Sequence, residues 1–145
     1  LSITRPDRAY FGQKDGQQAL IIKKLNADLN LGAEIVVVPT VREVDGLALS
    51  SRNIYLSADE RRAATVIRRA LLNAQTLGTS DAREIRRVIL EMIDREPLAQ
   101  VDYVSVADST MLEELDRVNV PAIVSLAVWV GSVRLIDNIQ IGPGE

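Results

Sequence analysis

A short β-branched run closed by proline constrains the fold of this chain more than any other feature. Residues 34–38 read Glu-Ile-Val-Val-Val and precede Pro39, a composition typical of a buried strand in a parallel sheet. A helical spacing of apolar residues precedes this strand over residues 17–29, and residues 9–11 predict another short strand before a glycine-containing loop. A strand, a helix and a strand with short connections make half of a doubly wound α/β unit.

The second half of the chain begins with two predicted helices. Ser57 and Glu60 are the ends of a Ser-x-x-Glu capping box, which opens a helix that runs to about residue 77. Ser80 or Asp81 caps a second helix, whose apolar residues again lie on one face. Both helices are amphipathic, so each needs a partner layer for its apolar face.

Strands and turns dominate the remainder of the chain. A short helix is predicted over residues 111–115, and Gly131-Ser132 suits a type II′ turn between two strands. We therefore predict an α/β unit over residues 1–54, followed by a small α+β domain over residues 55–145 in which two helices pack on a mainly antiparallel sheet. The predicted strands of this domain are residues 101–106, 122–130 and 133–141.

The composition excludes several kinds of site. The 145 residues include no Cys and no His, which rules out cysteine nucleophiles, Ser-His-Asp triads and metal sites built from these side chains. Hydrophobic residues make up 47% of the chain and the net charge is -3, so we expect a globular protein without nucleic-acid or membrane partners. The absence of Cys fits a cytoplasmic protein. Because the chain begins with Leu1 rather than Met, we interpret it as a fragment.

The first candidate site is the loop of residues 12–16, which has two glycines at the start of the first predicted helix. Backbone amides and the helix N-terminus favour an anion there, and Lys14 adds a cation that can reach a phosphate. The alternative is an ordinary helix start, in which Asp15 is the N-cap, Gln18 is its capping-box partner and Lys14 is solvated. The spacing of these residues alone favours the alternative.

The second candidate site places two hydroxyls and a guanidinium side by side, at Ser50, Ser51 and Arg52. They can clamp a phosphate, because arginine offers a planar fork and hydroxyls donate hydrogen bonds. The alternative is a polar linker with Arg52 on the surface, and composition alone favours it. Glu43 and Asp45 precede this loop and are candidate contacts for Mg²⁺ or a substrate amine, although such carboxylates are more often solvated.

Three segments of the chain match the motifs of one family. They are FGQKDGQQ over residues 11–18, PTVREVDGLALSSRNIYLS over residues 39–57, and LIDNIQI over residues 135–141. Together they resemble the C-terminal part of the pantothenate synthetases, also called pantoate–β-alanine ligases, and the match is collinear from about Pro6 to Ile141. The two loop motifs at this spacing are specific, so the resemblance outweighs the alternatives given above for both loops.

The resemblance implies the C-terminal part of a Rossmann-like nucleotide-binding domain and an ATP-dependent ligase activity. Members of the family condense pantoate with β-alanine through a pantoyl-adenylate intermediate, with ATP and Mg²⁺, and release AMP and pyrophosphate. By position, Gln18 matches the glutamine that binds pantoate, and Lys14, Ser50, Ser51 and Arg52 match the residues expected to act in catalysis. The resemblance implies ATP contacts at Gly12, Gln13, Lys14, Asp15, Val41, Leu49, Ser50, Ser51 and Arg52.

The absence of histidine separates this chain from the family pattern. The family carries a HIGH-type histidine motif in its N-terminal half, so this chain lacks that part of the site and we expect it to be inactive alone. A non-catalytic binding or oligomerisation module with the same fold is the main alternative, and a different α/β nucleotidyltransferase is a weaker one. We expect a homodimer, because a truncated sheet leaves an unpaired strand edge that favours self-association.

Overall fold

The computed structural model describes residues 1–143. From residue 8 onward, the predicted helices and strands are present within two residues of their expected bounds, apart from the short helix at residues 111–115. Short 3₁₀ turns lie at Gln13–Asp15 and Ser51–Tyr55. The main elements are β1 (Arg8–Gly12), α1 (Gly16–Asp28), β2 (Glu34–Val38), α2 (Ala58–Thr76), α3 (Ala82–Asp94), β3 (Ala99–Asp108), β4 (Ala122–Val130) and β5 (Val133–Ile141).

The first sheet consists of two parallel strands joined by α1. β1 pairs with β2 in register from Arg8 opposite Glu34 to Gly12 opposite Val38, so the predicted parallel pair is confirmed. The prediction that residues 34–38 are buried is wrong, because the ends of β2 are exposed and its centre is only half-buried. One helix and one neighbouring strand are too little to cover both faces of an apolar strand. The Rossmann-like assignment of this part stays a prediction.

The second sheet is antiparallel, in the order β3-β4-β5. β4 and β5 form a hairpin with Val130 opposite Val133, and Gly131 between them has a φ of 56° whereas Ser132 keeps a negative φ. A two-residue turn with a positive φ at its first position only is a type II′ turn, as the sequence predicts.

The main core lies between this sheet and the helices α2 and α3. It is a layer of buried branched aliphatic side chains and alanines. The opposite face of β4 is also buried, and there Ile123 lies against Gly16 at the start of α1. The largest fully buried side chains are Ile67, Leu71, Ile85, Ile89, Ile93, Ile123, Leu126, Val106, Val118, Val124, Val128 and Val130.

Side-chain caps begin α2 and α3, as the sequence predicts. The Ser57 side chain accepts a hydrogen bond from the Glu60 amide at 3.2 Å, and the Glu60 carboxylate accepts one from the Ser57 amide at 2.8 Å. This reciprocal pair satisfies two amides that the helix itself leaves unpaired. Asp81 caps α3 by accepting a hydrogen bond from the Arg83 amide at 2.9 Å.

The prediction of a short helix over residues 111–115 is wrong. The Asp108 carboxylate accepts hydrogen bonds from the amides of Thr110 at 2.6 Å and Met111 at 2.8 Å, which makes a side-chain-stabilised turn. Leu112 then has a φ of 60°, and Glu114 forms a β-bridge with Ala107. The segment therefore turns back along β3, because the Asp108 side chain offers its amides an alternative to helical hydrogen bonds.

The N-terminal and C-terminal parts of the chain meet along β5. Residues 12–16 and the segment between β2 and α2 both contact this strand through side chains described below. The division after residue 54 stays a prediction. None of the helices over residues 1–143 combines the length and apolar character that crossing a membrane requires.

Candidate active site

The two candidate loops converge on one cleft. Lys14 and Asp15 come from the turn after β1, and Ser50, Ser51 and Arg52 come from the start of the second 3₁₀ turn. The cleft has a volume of about 220 Å³, and residues 134–137 of β5 form one of its walls. Side chains that are far apart in the sequence therefore face a common space, as the phosphate-binding interpretation of both loops requires.

The first loop is held against β5 and not by a helix cap of its own. Asp15 makes no side-chain capping hydrogen bond at the start of α1, so the alternative of a capping box with Gln18 is wrong. The loop is instead fixed by Asn138, whose Nδ2 donates hydrogen bonds to the carbonyl oxygens of Gln13 at 2.8 Å and Lys14 at 2.9 Å. The Lys14 side chain remains available to the cleft.

The second loop is anchored at both ends of its Ser-Ser-Arg segment. The Ser50 hydroxyl accepts a hydrogen bond from the Arg52 amide at 3.3 Å, which starts the 3₁₀ turn. Asn53 is buried, and its Nδ2 donates to the Glu43 carboxylate at 2.7 Å and to the Ala48 carbonyl at 3.1 Å. Arg52 is exposed, as the polar-linker alternative also expects, but the segment around it is an ordered turn.

Glu43 and Asp45 are engaged by Arg61 of α2. Its guanidinium lies 2.6 Å from the Glu43 carboxylate and 2.9 Å from that of Asp45. The hydrogen bond from Arg61, followed by the one from Asn53, lowers the pKa of the Glu43 carboxyl below its ordinary value. The negative charge on Glu43 therefore stabilises the fold of the loop.

These contacts bear on the predicted Mg²⁺ ion. Residues 1–143 contain no group of three or more Asp, Glu, His or Cys side chains arranged to hold a metal ion. Glu43 and Asp45 are the sequence's candidates for this role, and both already form ion pairs with Arg61. The described part of the chain therefore does not fit a Mg²⁺ site built from protein ligands.

A buried ion pair below the cleft links the second loop to β5. Arg42 Nη1 and Nη2 lie 2.7 Å and 2.9 Å from the two carboxylate oxygens of Asp137, and the Asp137 side chain is only 2% exposed. Arg42 also donates to the Gly46 carbonyl at 3.2 Å. Burial, followed by the nearby charge of Arg42, lowers the pKa of Arg68 from its ordinary value, and the charge of Asp137 opposes this effect.

Arg134 is a further cation at the cleft, and sequence reasoning missed it. Its Nε and Nη2 lie 2.9 Å and 2.7 Å from the Asp102 carboxylate, and its guanidinium stacks 5.9 Å from the centre of the Tyr103 ring. Burial is the main reason that the pKa of Tyr103 is raised. The available signal was a pattern of polar residues in an otherwise apolar strand, at Arg134, Asp137 and Asn138.

The remaining predicted site residues are distributed around this cleft. Gln18 lines an adjoining cleft of about 280 Å³, which shares Lys14 and Arg134 with the first. Gln13 contributes its backbone carbonyl to the contact with Asn138. Four predicted ATP contacts, Gly12, Gln13, Val41 and Leu49, line neither cleft, and Val41 and Leu49 have exposed side chains.

Comparison with known proteins identifies the family. A family model described as pantoate-beta-alanine ligase matches residues 1–140. A pantothenate synthetase from Pelotomaculum thermopropionicum is 52% identical over 144 residues, which cover 97% of this chain and 51% of that protein. One from Roseiflexus castenholzii is 56% identical over 140 residues, which cover 94% of this chain and 50% of that protein. The chain thus spans about half the length of the curated relatives it matches.

Solved structures agree with these sequence matches. The crystal structure of a pantothenate synthetase from Thermus thermophilus matches with a TM-score of 0.88 and 41% identity, covering 96% of this chain and 51% of that one. A pantoate–β-alanine ligase from Francisella tularensis, complexed with β-γ ATP and β-alanine, has a TM-score of 0.63 and 32% identity, covering 94% of this chain and 44% of that one. Motifs, fold and relatives coincide over nearly the whole chain, which therefore belongs to the pantoate–β-alanine ligase family.

Proposed function

We propose that this chain supplies the phosphate-binding part of an ATP-dependent pantoate–β-alanine ligase site. The observation that carries the proposal is the convergence of Lys14 with Ser50, Ser51 and Arg52 on one cleft. Two cations and two hydroxyls there can neutralise and hydrogen-bond a triphosphate. The family membership and the ATP-complexed relative from Francisella tularensis support ATP as the ligand.

In the proposed reaction, a carboxylate oxygen of pantoate attacks the α-phosphorus of ATP. The bond from this phosphorus to the bridging oxygen breaks, and pyrophosphate leaves with the electron pair. The amine of β-alanine then attacks the acyl carbon of the pantoyl adenylate, the bond from this carbon to the AMP oxygen breaks, and the amine loses a proton to solvent. The first step makes AMP a good leaving group for the second, so no covalent enzyme intermediate is required.

The residues divide this work by position. Lys14 neutralises the negative charge that builds up on the leaving pyrophosphate. Arg52 binds the same phosphate groups from the opposite loop. The hydroxyls of Ser50 and Ser51 donate hydrogen bonds to phosphate oxygens. Gln18, in the adjoining cleft, contacts pantoate.

The other nucleotide contacts are proposed on the family resemblance alone. They are Gly12, Gln13, Asp15, Val41 and Leu49, of which Asp15 lines the cleft with Lys14. Mg²⁺ enters the proposal only as an ion carried by the phosphates, since the described residues do not form a site for it. We assign no step to it.

We propose that the chain alone is inactive, because the family's histidine motif has no counterpart in its sequence. The test joins the N-terminal half of the Pelotomaculum thermopropionicum relative to Leu1 and compares this fusion with the 145-residue chain. Pantothenate formation and pantoate-dependent exchange of pyrophosphate into ATP are measured. We expect both activities from the fusion and neither from the chain alone.

A lysine substitution sharpens this test. In the fusion, Lys14→Met should lower kcat by about 10²- to 10³-fold, the usual cost of removing one charge-stabilising donor. Lys23→Met, at an exposed position of α1, is the matched control and should keep full activity. Turnover by the isolated chain would refute the proposed inactivity. A folded fusion that binds no ATP would instead favour the alternative of a non-catalytic binding or oligomerisation module.

A further inference from the structure

Two consecutive residues of β5 each contact one of the two loops proposed to bind phosphate, which are residues 12–16 and residues 49–52 and are called the phosphate loops. Asn138 contacts the loop of residues 12–16, and Asp137 contacts the segment that leads into residues 49–52. Both residues are almost fully buried, with Asp137 3% and Asn138 4% exposed as whole residues. The side chains of adjacent strand residues point to opposite faces of the sheet. Asp137 and Asn138 therefore contact segments on the two faces of β5.

The contact made by Asn138 is specific for an amide donor. Its Nδ2 lies 2.8 Å from the Gln13 carbonyl and 2.9 Å from the Lys14 carbonyl. Carbonyl oxygens only accept hydrogen bonds, so the NH₂ group of the amide must face them and both of its hydrogens are used. The carbonyl of Lys14 itself is therefore fixed, which limits where its side chain can start.

Close packing beside Asn138 also restricts the position of the first loop. A Cβ atom placed on Gly16 would lie 2.7 Å from Ile123 Cδ1 and 3.1 Å from Asn138 Nδ2. Such approaches are closer than carbon atoms normally allow, so glycine permits α1 to begin directly on the sheet. The loop is thus fixed from the sheet side at Gln13, Lys14 and Gly16.

The contact made by Asp137 uses the fork geometry of arginine. Two parallel hydrogen bonds of 2.7 Å and 2.9 Å join it to Arg42, and Arg42 Nη1 also donates to the Gly46 carbonyl. A bidentate pair fixes orientation as well as distance. It therefore sets the path of residues 42–46, from which the chain proceeds to Ser50, Ser51 and Arg52.

We propose that Asp137 and Asn138 are positioning residues that set the distance between the two phosphate loops. Asp137 lies in the wall of the cleft, but its carboxylate is taken up by Arg42. We assign neither residue a contact with the phosphates; Asp137 acts through Arg42, and Asn138 acts through the backbone of Gln13 and Lys14. The role rests on the proposed function, since it supposes that these loops bind one triphosphate. The spacing of the loops should then matter for ATP, which spans both, and little for AMP, which lacks the β- and γ-phosphates.

The test uses the 145-residue chain with two substitutions. Asn138→Leu keeps the side-chain size and removes the donor, and Arg42→Lys keeps the charge opposite buried Asp137 while removing the fork. Gln140→Ala, at an exposed position of the same strand, is the control. Hydrogen–deuterium exchange follows the amides of both loops and of β4, and calorimetry compares ATP with AMP.

We expect each substitution to loosen only its own loop. Asn138→Leu should speed exchange over residues 12–18 and Arg42→Lys over residues 41–49. Each increase should be about tenfold or more, because the first substitution removes two hydrogen bonds and the second removes the bidentate geometry. Exchange in β4 and all properties of Gln140→Ala should stay unchanged. ATP affinity should fall by about tenfold in both variants, and AMP affinity by less than about twofold.

Other outcomes separate this proposal from the function on which it rests. Unchanged exchange in both loops, or equal acceleration in β4, would overturn the positioning role. Equal losses of ATP and AMP affinity would also overturn it, because they indicate a general structural defect. If the unsubstituted chain binds neither nucleotide, the proposed function loses its support, and the loop-specific exchange alone decides whether the two residues position the loops.

Discussion

Arg52 Nη1 donates a hydrogen bond to the carbonyl oxygen of Arg134 at a distance of 3.1 Å. The proposed clamp residue therefore rests on the wall of the cleft that it is expected to close. A single exposed hydrogen bond to a backbone carbonyl is weak, so a triphosphate that offers charged oxygens can replace it.

Replacing Arg52 should affect nucleotide binding far more than stability. We expect Arg52→Ala to weaken ATP binding by about 10- to 100-fold, which corresponds to the loss of a charge-assisted hydrogen bond. The unfolding free energy should change by no more than about 0.5 kcal/mol, because the side chain is exposed. Calorimetric titration with ATP and urea unfolding measure the two effects. Arg62→Ala on α2, also at an exposed arginine, is the control, and equal ATP affinity in both variants would contradict the clamp role.

Glu43 should make the stability of the chain depend on pH. Its folded pKa is lowered, first by Arg61 and then by Asn53, so the carboxylate stabilises the folded state when it is charged. This contribution is fully present above the unfolded pKa, for which the ordinary value is 4.5, and it is lost as the pH falls through the lower folded pKa. Urea midpoints between about pH 7 and about pH 3 should show the loss in the unsubstituted chain.

The Glu43→Gln variant isolates that contribution. It should be less stable than the unsubstituted chain at neutral pH, and the difference should shrink below about pH 4.5 as Glu43 becomes protonated. Glu91→Gln removes the carboxylate of an exposed helical ion pair with Arg87 and serves as the control for a lost surface charge. A difference between Glu43→Gln and the unsubstituted chain that stays constant with pH would argue against this account.

Gly131 should tolerate alanine poorly for two separable reasons. Its φ of 56° is strained for other residues, and a Cβ atom would collide with the Glu60 carboxylate that completes the cap of α2. Gly78 has a φ of 64° but no neighbour within 4 Å of a Cβ atom, so it reports the strain alone. We expect urea unfolding to show losses of about 1 kcal/mol for Gly78→Ala and about 2–3 kcal/mol for Gly131→Ala.

The collision can be checked by a double substitution. Adding Glu60→Ala to Gly131→Ala should cost less than Glu60→Ala costs alone, because the alanine at position 131 has already displaced the carboxylate. Additive losses would show that the cap and the turn do not interact.

The exposed first sheet should make the chain associate with itself. Within residues 1–143, β1 and β2 pair only with each other, and Tyr10 and Val38 are 62% and 45% exposed. Unpaired apolar edges of this kind favour strand pairing between copies, so we expect a homodimer in analytical ultracentrifugation. Tyr10→Lys should shift the mass towards the monomer, whereas Leu72→Lys on α2 should not. A monomeric unsubstituted chain would contradict the expectation.

The sequence predicts local structure well where one segment carries its own signal. The bounds of β2 follow from a β-branched run before Pro39, and the start of α2 follows from the capping box at Ser57 and Glu60. The two loop motifs predict the family, and the family model that matches residues 1–140 confirms it. The roles of individual site residues stay predictions, since ligand contacts lie beyond what the fold alone tests.

Contacts between distant residues were beyond prediction from a single sequence. Arg42 and Asp137 are 95 positions apart, and no periodicity in either segment marks them as partners. The error at residues 111–115 has a different cause, because helical propensity there competes with the turn that the Asp108 carboxylate stabilises. The prediction that β2 is buried was wrong for another reason. Composition shows that the strand is apolar enough to be buried, but not whether other elements of the chain cover both of its faces.

The contacts that Asp137 and Asn138 of β5 make with the two loops also limit when these loops can be fixed during synthesis on the ribosome. Lys14 is synthesised 124 residues before Asn138, which holds its loop, and Arg42 is synthesised 95 residues before Asp137. While β5 is still inside the exit tunnel, a nascent chain can form neither of these contacts. The two loops can therefore be held at the cleft only after β5 has emerged and paired with β4.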